Sequence, residues 1–187
     1  MAKQKNKRII ITGASGVGKT TLVERLAPLL SLPVIPELGR DICKKMGYEK
    51  IGDIPEQEDF KRAVLDAQIA EEDKLGDFIS DRSTIDCWVL WQRWNICSAM
   101  TFDTEAYYEK SLAQAKEYTH VIYVKPMFAA SEDGFRWTEP DYQKQIDRLV
   151  RMTLYDFDLW GKTHTVVAEG IDKRVEEVKQ WLIDNSV

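Results

Sequence analysis

The stretch that decides the fold is residues 8–22, RIIITGASGVGKTTL. Residues 9–12 are an apolar run typical of a buried strand, and residues 20–30 have the pattern of a helix. Between them, residues 13–20 match G-x-x-x-x-G-K-[ST] without a mismatch. Glycines let a backbone turn its N–H groups inward, and at the positive end of a helix these groups form a cradle for phosphate oxygens. The stretch therefore predicts a strand, a phosphate-binding loop and a helix.

The residues of this loop have individual roles in such a cradle. We expect Lys19 to reach the β- and γ-phosphates of a nucleoside triphosphate, and the Thr20 hydroxyl to ligate Mg²⁺. The residues predicted to bind the nucleotide are Gly13, Ala14, Ser15, Gly16, Val17, Gly18, Lys19, Thr20 and Thr21. A glycine-rich turn without a ligand is the structural alternative, and the strand and helix on either side favour the phosphate site over it. The motif leaves the reaction open.

The composition of the chain excludes several classes of protein. At 187 residues, 44% hydrophobic and 30% charged, the chain has the size and balance of a single globular domain over residues 1–187. The net charge of −5 argues against a general nucleic-acid-binding surface. Cys43, Cys87 and Cys97 form no C-x-x-C pair, which favours reduced thiols in a cytoplasmic protein over disulfides or a zinc site. No apolar run is long enough to span a membrane, so we expect no membrane association.

The rest of the chain alternates between strand and helix patterns. Strands are predicted at residues 8–12, 33–36, 77–80, 120–125 and 165–168. Helices are predicted at residues 19–30, 40–46, 56–75, 84–95, 104–117, 141–160 and 172–184. Runs such as IIIT and VIYV are apolar throughout, as expected of strands that are buried on both faces. The alternation predicts an α/β fold with a five-stranded parallel sheet flanked by helices.

Charged residues follow the predicted strands. Ligands of open parallel sheets bind at the carboxyl ends of the strands, and these residues fall at that edge. The candidates are Glu37 and Arg40 after the second strand, Asp81 and Arg82 after the third, and Asp133, Gly134 and Arg136 in a long polar loop after the fourth. Because they share an edge with the phosphate loop, we treat them as candidate site residues.

The phosphate loop is compatible with three classes of nucleotide-binding protein. A GTPase switch needs N-K-x-D, which is absent, and a D-x-x-G after a strand, whereas the one at residues 73–76 precedes the third strand. A motor of the AAA+ or helicase type needs adjacent acids at a strand end, where this chain has FISDRS with Arg82 in place of the second acid. A small-molecule kinase needs an acceptor pocket, a base or phosphate clamp, and a lid with arginines. The candidate residues of this chain supply groups for each of these three kinase features.

The chain resembles the P-loop nucleoside and nucleotide kinases over nearly its whole length. FISDRS is similar to the D-R-Y or E-R-S element of thymidylate and deoxynucleoside kinases, FKRAVLDAQIAEEDKL to the helix that lines their acceptor site, and VVAEGIDKRVEEVKQWL to their last strand and helix. The closest look-alike is the ribosylnicotinamide kinase domain, with its AAA-type relatives. It shares two short elements, Glu-x-Gly-Arg at residues 37–40 and Asp-Gly-x-Arg at residues 133–136.

The resemblance implies roles for the candidate residues. Glu37 would be the base that acts on the acceptor hydroxyl, and Asp81 would hold the water shell of Mg²⁺; the alternative is that these two carboxylates exchange roles. Arg136, on a lid at about residues 126–140, would stabilise the transferring phosphoryl group. The residues expected to bind the acceptor are Arg40, Arg82 and Gln68. For Gln68, a position on the surface is the alternative to reading a base edge.

Trp88, Trp91 and Trp94 recur at i, i+3 spacing on one predicted helix. Packing in the core explains such a stripe better than stacking on a base.

Together these observations predict an ATP-dependent kinase with Mg²⁺ and a small-molecule acceptor. A nucleoside of the ribosylnicotinamide or deoxynucleoside type would suit Glu37 and Asp81, whereas a nucleoside monophosphate would suit Arg40 and Arg82. The alternative from another class is a P-loop NTPase that uses hydrolysis as a switch or binds a partner protein.

Overall fold

The fold is organised around a five-stranded parallel sheet, in a computed structural model that describes residues 6–127 and 140–185. The strands are Arg8–Thr12 (β1), Val34–Ile35 (β2), Phe78–Asp81 (β3), His120–Val124 (β4) and Thr163–Val166 (β5). Their order across the sheet is β2-β3-β1-β4-β5, and every neighbouring pair is parallel. All five carboxyl ends therefore lie along one edge, with β1 and the phosphate loop at its centre.

Within the described residues, seven α-helices flank the sheet. They are Lys19–Leu30 (α1), Gly39–Lys45 (α2), Gln57–Leu75 (α3), Thr84–Asn95 (α4), Thr101–Ala115 (α5), Pro140–Asp156 (α6) and Ile171–Asp184 (α7). Two short 3₁₀ helices, Ile51–Asp53 and Trp160–Lys162, lie in the connections. None of the helices in these ranges combines the length and the apolar composition needed to cross a bilayer. The predicted fold class is confirmed.

The predicted bounds of β1, α1 and α4 match the structure, and those of the other elements need correction. β2 is shorter than predicted, because Pro33 and Pro36 at its ends have no N–H to donate to a neighbouring strand. β5 ends earlier than predicted, because the backbone N–H groups of Val167 and Ala168 donate instead to the carboxylate of Glu177.

The helix predicted at residues 141–160 is also too long. α6 ends at Asp156, and Asp158 then takes a left-handed conformation with φ 54°, which breaks the helix. α5 begins at Thr101 instead of residue 104, and the remaining elements shift by a residue or two.

The central strands are buried on both faces, as their apolar runs predicted. In β1 and β4 every residue after the first is buried. Trp88 and Trp91 on α4 belong to the same core, and Trp91 stacks on Tyr107 with the ring centroids 4.2 Å apart. The prediction that the tryptophan stripe packs in the core is thus confirmed for these two residues. Trp94, by contrast, is 37% exposed.

The turn after β1 needs glycine at position 13. Gly13 has φ 144°, and a Cβ there would lie 2.4 Å from the carbonyl oxygen of Val124 at the end of β4. No side chain fits at that distance, so the backbone of the loop packs directly on β4. This contact holds the phosphate loop at the carboxyl edge of the sheet, close to the ends of both neighbouring strands.

Candidate active site

Lys19 is the first residue of α1, and its side chain folds back over the phosphate loop. Its Nζ donates hydrogen bonds to the carbonyl oxygens of Gly13 (2.9 Å) and Ala14 (2.7 Å). The side chain is buried, and burial, followed by the nearby charge of Arg82, lowers its pKa to about 8. Among the described residues, no carboxylate lies within ion-pair distance of this ammonium. Phosphate oxygens would supply the missing negative charge.

Thr20 and Asp81, the two residues predicted to hold a metal ion, contact each other. Thr20 Oγ1 donates a hydrogen bond of 2.5 Å to Asp81 Oδ2, and Asp81 is buried at the end of β3. In the part of the chain that the structure describes, no group of three or more His, Cys, Asp or Glu side chains could form a metal cage. Mg²⁺ keeps several waters and binds through one or two carboxylates together with phosphates. The hydroxyl–carboxylate pair therefore fits Mg²⁺ that binds together with a nucleotide.

Two side chains from distant parts of the chain brace the phosphate loop, and no sequence motif pointed to them. Arg174 on α7 donates from Nη1 to the carbonyl oxygen of Val17 (2.9 Å) and from Nε to that of Ala168 (3.0 Å). Gln143 on α6 donates from Nε2 to the carbonyl oxygen of Ser15 (3.0 Å). These bonds tie the loop to α6 and α7, and they place a buried guanidinium beside it.

Two cavities open at this edge of the sheet, and Glu37 and Arg82 line both of them. The smaller one, here the loop cavity, has a volume of about 220 Å³, and its wall is formed by Gly16, Gly18, Lys19, Thr20, Thr21, Glu37, Asp81 and Arg82. The second, here the large cavity, has a volume of about 310 Å³ and extends from Ser15, Glu37 and Arg82 between α3 and α4. The large cavity has the size of a small-molecule site at the lower end of the usual range.

Arg82 is held between β3 and α4 in a backbone conformation that residues other than glycine rarely adopt, with φ 82°. Its Nε donates to Glu37 Oε1 at 2.8 Å, and its Nη1 lies 3.7 Å from Asp86 Oδ1. Burial opposes the charge of the guanidinium, but Glu37, Asp86 and Asp81 outweigh it and raise the pKa of Arg82. Carboxylates of this chain therefore already balance its positive charge.

Asp86 is a candidate functional residue that the sequence analysis missed. It is buried in the first turn of α4, lines the large cavity and accepts a hydrogen bond from Ser83 Oγ (3.2 Å). Burial raises the pKa of its carboxyl group, and the charges of Arg82 and Lys19 oppose this effect. Ser83 caps α4, so the S-x-x-D spacing of a capping box is the signal that could have found Asp86.

The wall of the large cavity is rich in apolar and aromatic side chains. Phe60, Leu90, Trp94 and Tyr142 all line it, and the rings of Trp94 and Tyr142 are 6.0 Å apart. Such surfaces suit a flat ring, since aromatic side chains offer large contact areas at fixed geometry. The third tryptophan of the predicted stripe is therefore placed where it can touch a ligand.

Gln68 is not on the surface, so that alternative is wrong. It is buried on α3 and lines the large cavity. Its Nε2 donates to Glu72 Oε1 (2.8 Å) and to Ser80 Oγ (3.1 Å). Both amide hydrogens are used inside the fold, so any contact of Gln68 with an acceptor would fall to its carbonyl oxygen.

Of the other two predicted arginines, the structure describes only Arg40. Arg40 on α2 is partly exposed and does not line the loop cavity or the large cavity. Arg136 lies outside the described residues, as do Asp133, Gly134 and most of the predicted lid at about residues 126–140. The acceptor-binding role of Arg40, the catalytic role of Arg136 and the single domain with a lid therefore stay predictions.

Comparison with known proteins agrees with this arrangement of strand, loop and helix. Residues 8–174 match the sequence profile of a family described as AAA domain. The chain belongs to this AAA domain family. No curated protein sequence matches the chain.

Three solved structures share the fold of this AAA domain at low sequence identity. The NadR protein in complex with NR is 16% identical, with a TM-score of 0.78. The match covers 98% of this chain and 52% of the NadR chain, so this chain spans about half the length of NadR. Deoxyadenosine kinase from M. mycoides with bound dCTP is 16% identical with a TM-score of 0.69, over 94% of this chain and 98% of that one. Shikimate kinase from Aquifex aeolicus VF5 is 18% identical with a TM-score of 0.62, over 96% of this chain and 98% of that one. The predicted resemblance to P-loop kinases is confirmed at the level of the fold.

Proposed function

We propose that this protein is a P-loop kinase that uses ATP and Mg²⁺ to phosphorylate a hydroxyl group of a nucleoside or nucleoside-like acceptor. The observation that carries the proposal is that Glu37 and Arg82 line both the loop cavity and the large cavity, and so form a junction between them. A phosphate chain in the first and a ring compound in the second would face each other across this pair. Phosphoryl transfer depends mostly on such positioning of its two reactants and on charge stabilisation.

The charges at this junction favour a hydroxyl acceptor over a monophosphate. Arg82 already has Glu37 at 2.8 Å and Asp86 at 3.7 Å. The phosphate group of a monophosphate acceptor would meet two carboxylates there, and the guanidinium that could attract it is already paired. An uncharged hydroxyl avoids this repulsion. Of the two acceptors that the sequence left open, the nucleoside fits better.

In the proposed reaction, each residue at the junction has a distinct part. Glu37 accepts the proton of the acceptor hydroxyl while the hydroxyl oxygen attacks the γ-phosphorus, and the bond from that phosphorus to the bridging oxygen of ADP breaks. Lys19 binds oxygens of the β- and γ-phosphates, and Arg82 holds Glu37 in position. Thr20 and Asp81 would hold Mg²⁺, which neutralises phosphate charge when it is bound.

The proposal is tested by ADP release in the presence of ATP and Mg²⁺, without an acceptor and with matched pairs of nucleosides and their 5′-monophosphates. We expect at least one nucleoside to raise the rate well above the acceptor-free rate, and its monophosphate to leave the rate unchanged. Lys19→Ala protein, purified in the same way, controls for contaminating kinases.

Two outcomes would overturn the proposal. ADP release that no acceptor stimulates would point to the alternative of an NTPase that acts as a switch. Stimulation by monophosphates alone would identify a nucleotide kinase.

A further inference from the structure

Lys61 is a buried cation in the wall of the large cavity, and the proposed reaction does not use it. It lies on α3, is 6% exposed, and lines the cavity together with Gln57 and Phe60. Its Nζ donates one hydrogen bond, to Gln57 Oε1 at 3.1 Å. No carboxylate of residues 6–127 or 140–185 lies within ion-pair distance of this ammonium. The ammonium also lies 5.8 Å from the centre of the Phe60 ring, on the side where a cation–π contact forms. An ammonium has three N–H donors, so the described residues leave two of them without a hydrogen-bond acceptor.

Gln57 fixes the position of the lysine side chain. Its Nε2 donates to the carbonyl oxygens of Ile51 (2.7 Å) and Ile54 (2.8 Å), so both amide hydrogens are used and Oε1 is left to accept from Lys61. The 3₁₀ helix Ile51–Asp53 thereby positions the ammonium through Gln57. This arrangement holds the ammonium in one place at the cavity wall, as a binding group requires.

The ammonium lies apart from the charged cluster where the two cavities meet. Burial lowers the pKa of Lys61 to about 8, and no carboxylate contributes to that shift. Glu37 and Asp86, by contrast, act on both Lys19 and Arg82. The geometry of α3 agrees with this separation, because Gln68 is the residue of α3 that contacts Ser80 on β3, and Lys61 lies seven residues, or about 10 Å along the helix axis, before it. The large cavity has one end with carboxylates, where a hydroxyl would react, and one basic end.

A buried charge without a counter-charge is unfavourable, and a binding site is where a ligand can supply the missing partner. We propose that Lys61 binds an oxygen of the acceptor, a carboxylate or a carbonyl oxygen on its ring, at the end remote from the hydroxyl that is phosphorylated. This inference rests on the proposed function, because it takes the large cavity as the acceptor site. The substrate class is a hydroxyl compound of nucleoside size whose ring carries an oxygen acceptor at that point.

The same chemistry predicts which rings are rejected. An ammonium offers donors only, so it pairs with an oxo or carboxylate group and leaves a ring amino group without a partner. Discrimination is strongest where a buried polar group would otherwise stay unpaired. The acceptor site should therefore prefer oxo-substituted rings to their amino-substituted counterparts.

Calorimetric titration of nucleosides without ATP tests this preference. Inosine against adenosine, and uridine against cytidine, exchange an oxo group for an amino group at one ring position, and 5-carboxyuridine adds a carboxylate. Wild-type protein should bind the oxygen-bearing member of at least one pair about 10- to 100-fold more tightly, which is the effect of one charged hydrogen bond. Lys61→Met keeps an unbranched apolar side chain and should reduce the preference to within a few-fold. Lys110→Met, at an exposed lysine on α5, is the matched control and should keep it.

Thermal unfolding of the ligand-free protein separates a ligand-binding lysine from a structural one. Below pH 8, removing an unneutralised charge should leave the Tm of Lys61→Met equal to or above that of the wild type. The affinity for 5-carboxyuridine should be constant below pH 8 and fall above it, because the free ammonium then loses its proton. Lys61→Met should show no such fall.

The outcomes distinguish this inference from the proposed function. Equal binding within both pairs, an unchanged preference in Lys61→Met, or a lower Tm for that variant would overturn the role of Lys61 and leave the kinase proposal standing. Failure of the wild type to bind any of these nucleosides would overturn the nucleoside acceptor and the role of Lys61 together.

Discussion

Glu37→Gln removes one negative charge from the junction of the two cavities and leaves the side-chain volume nearly unchanged. Glu37 Oε1 accepts a hydrogen bond of 2.8 Å from Arg82 Nε, and the two side chains are 20% and 17% exposed. A hydrogen bond to a charged group contributes about 1.5–3 kcal/mol and a neutral one about 0.5–1.5 kcal/mol. Because the glutamine oxygen can still accept from Arg82, the free energy of unfolding should fall by about 1–2 kcal/mol. In a domain of this size, that change lowers Tm by about 2–8 °C.

The effect of this variant on the reaction rate should be larger. Loss of a general base lowers kcat by about 10²–10⁴, which is a rise of about 3–5 kcal/mol in the activation barrier. The affinity for ATP should stay the same or tighten slightly, because Glu37 lines the loop cavity and its charge repels phosphates. Rapid-quench measurement of a single turnover at saturating ATP and acceptor gives the rate, and an equilibrium titration gives the Kd for ATP.

Two comparison variants make this result specific. Glu49→Gln changes an exposed glutamate and should behave like the wild type. A wild-type kcat in folded Glu37→Gln protein would refute the role of Glu37 as base. If Asp86→Asn alone lost activity, the base would instead be Asp86.

The phosphate loop and the metal pair lead to three further expectations. Lys19→Ala should abolish turnover and leave the fold intact, and wild-type turnover in the variant would contradict the role of Lys19. The affinity of the wild type for ATP should fall as pH rises above about 8, where the free lysine loses its proton, and the variant should show no such fall. Asp81→Asn should raise the Mg²⁺ concentration needed for half-maximal activity, and an unchanged requirement would exclude it from the metal site. Gly13→Ala should lower the free energy of unfolding by about 2 kcal/mol or more because its Cβ meets the carbonyl oxygen of Val124, whereas Gly161→Ala, with open space around it, should change little in a denaturant titration.

The unit of β1, phosphate loop and α1 was predicted to the residue, because an apolar run, a glycine turn and a helical pattern are local signals. The bounds of β5 depend on contacts that are distant in sequence. The N–H groups of Val167 and Ala168 donate to the carboxylate of Glu177 on α7, so the strand ends before them. No local sequence pattern predicts this contact.

The candidate site was predictable where a motif carries it. The sequence placed Thr20 and Asp81 at one metal site, and the structure brings them into contact. Asp86 and Lys61 gain their importance from burial, which depends on how α3 and α4 pack around the large cavity. In the sequence, Lys61 looks like any charged residue on a polar helix, so its missing counter-charge becomes visible only in three dimensions.

The most direct test of the proposed function follows the phosphate itself. The protein is incubated with Mg²⁺, ATP labelled in its γ-phosphate, and the nucleoside that best stimulates ADP release, and the labelled product is then treated with acid and with phosphatase. The proposal predicts label in a phosphate monoester of the nucleoside, stable to acid and released by phosphatase. Label found only as inorganic phosphate would contradict transfer to a hydroxyl group. With the matching monophosphate as acceptor, an acid-labile diphosphate formed faster than the monoester would contradict the choice of a nucleoside.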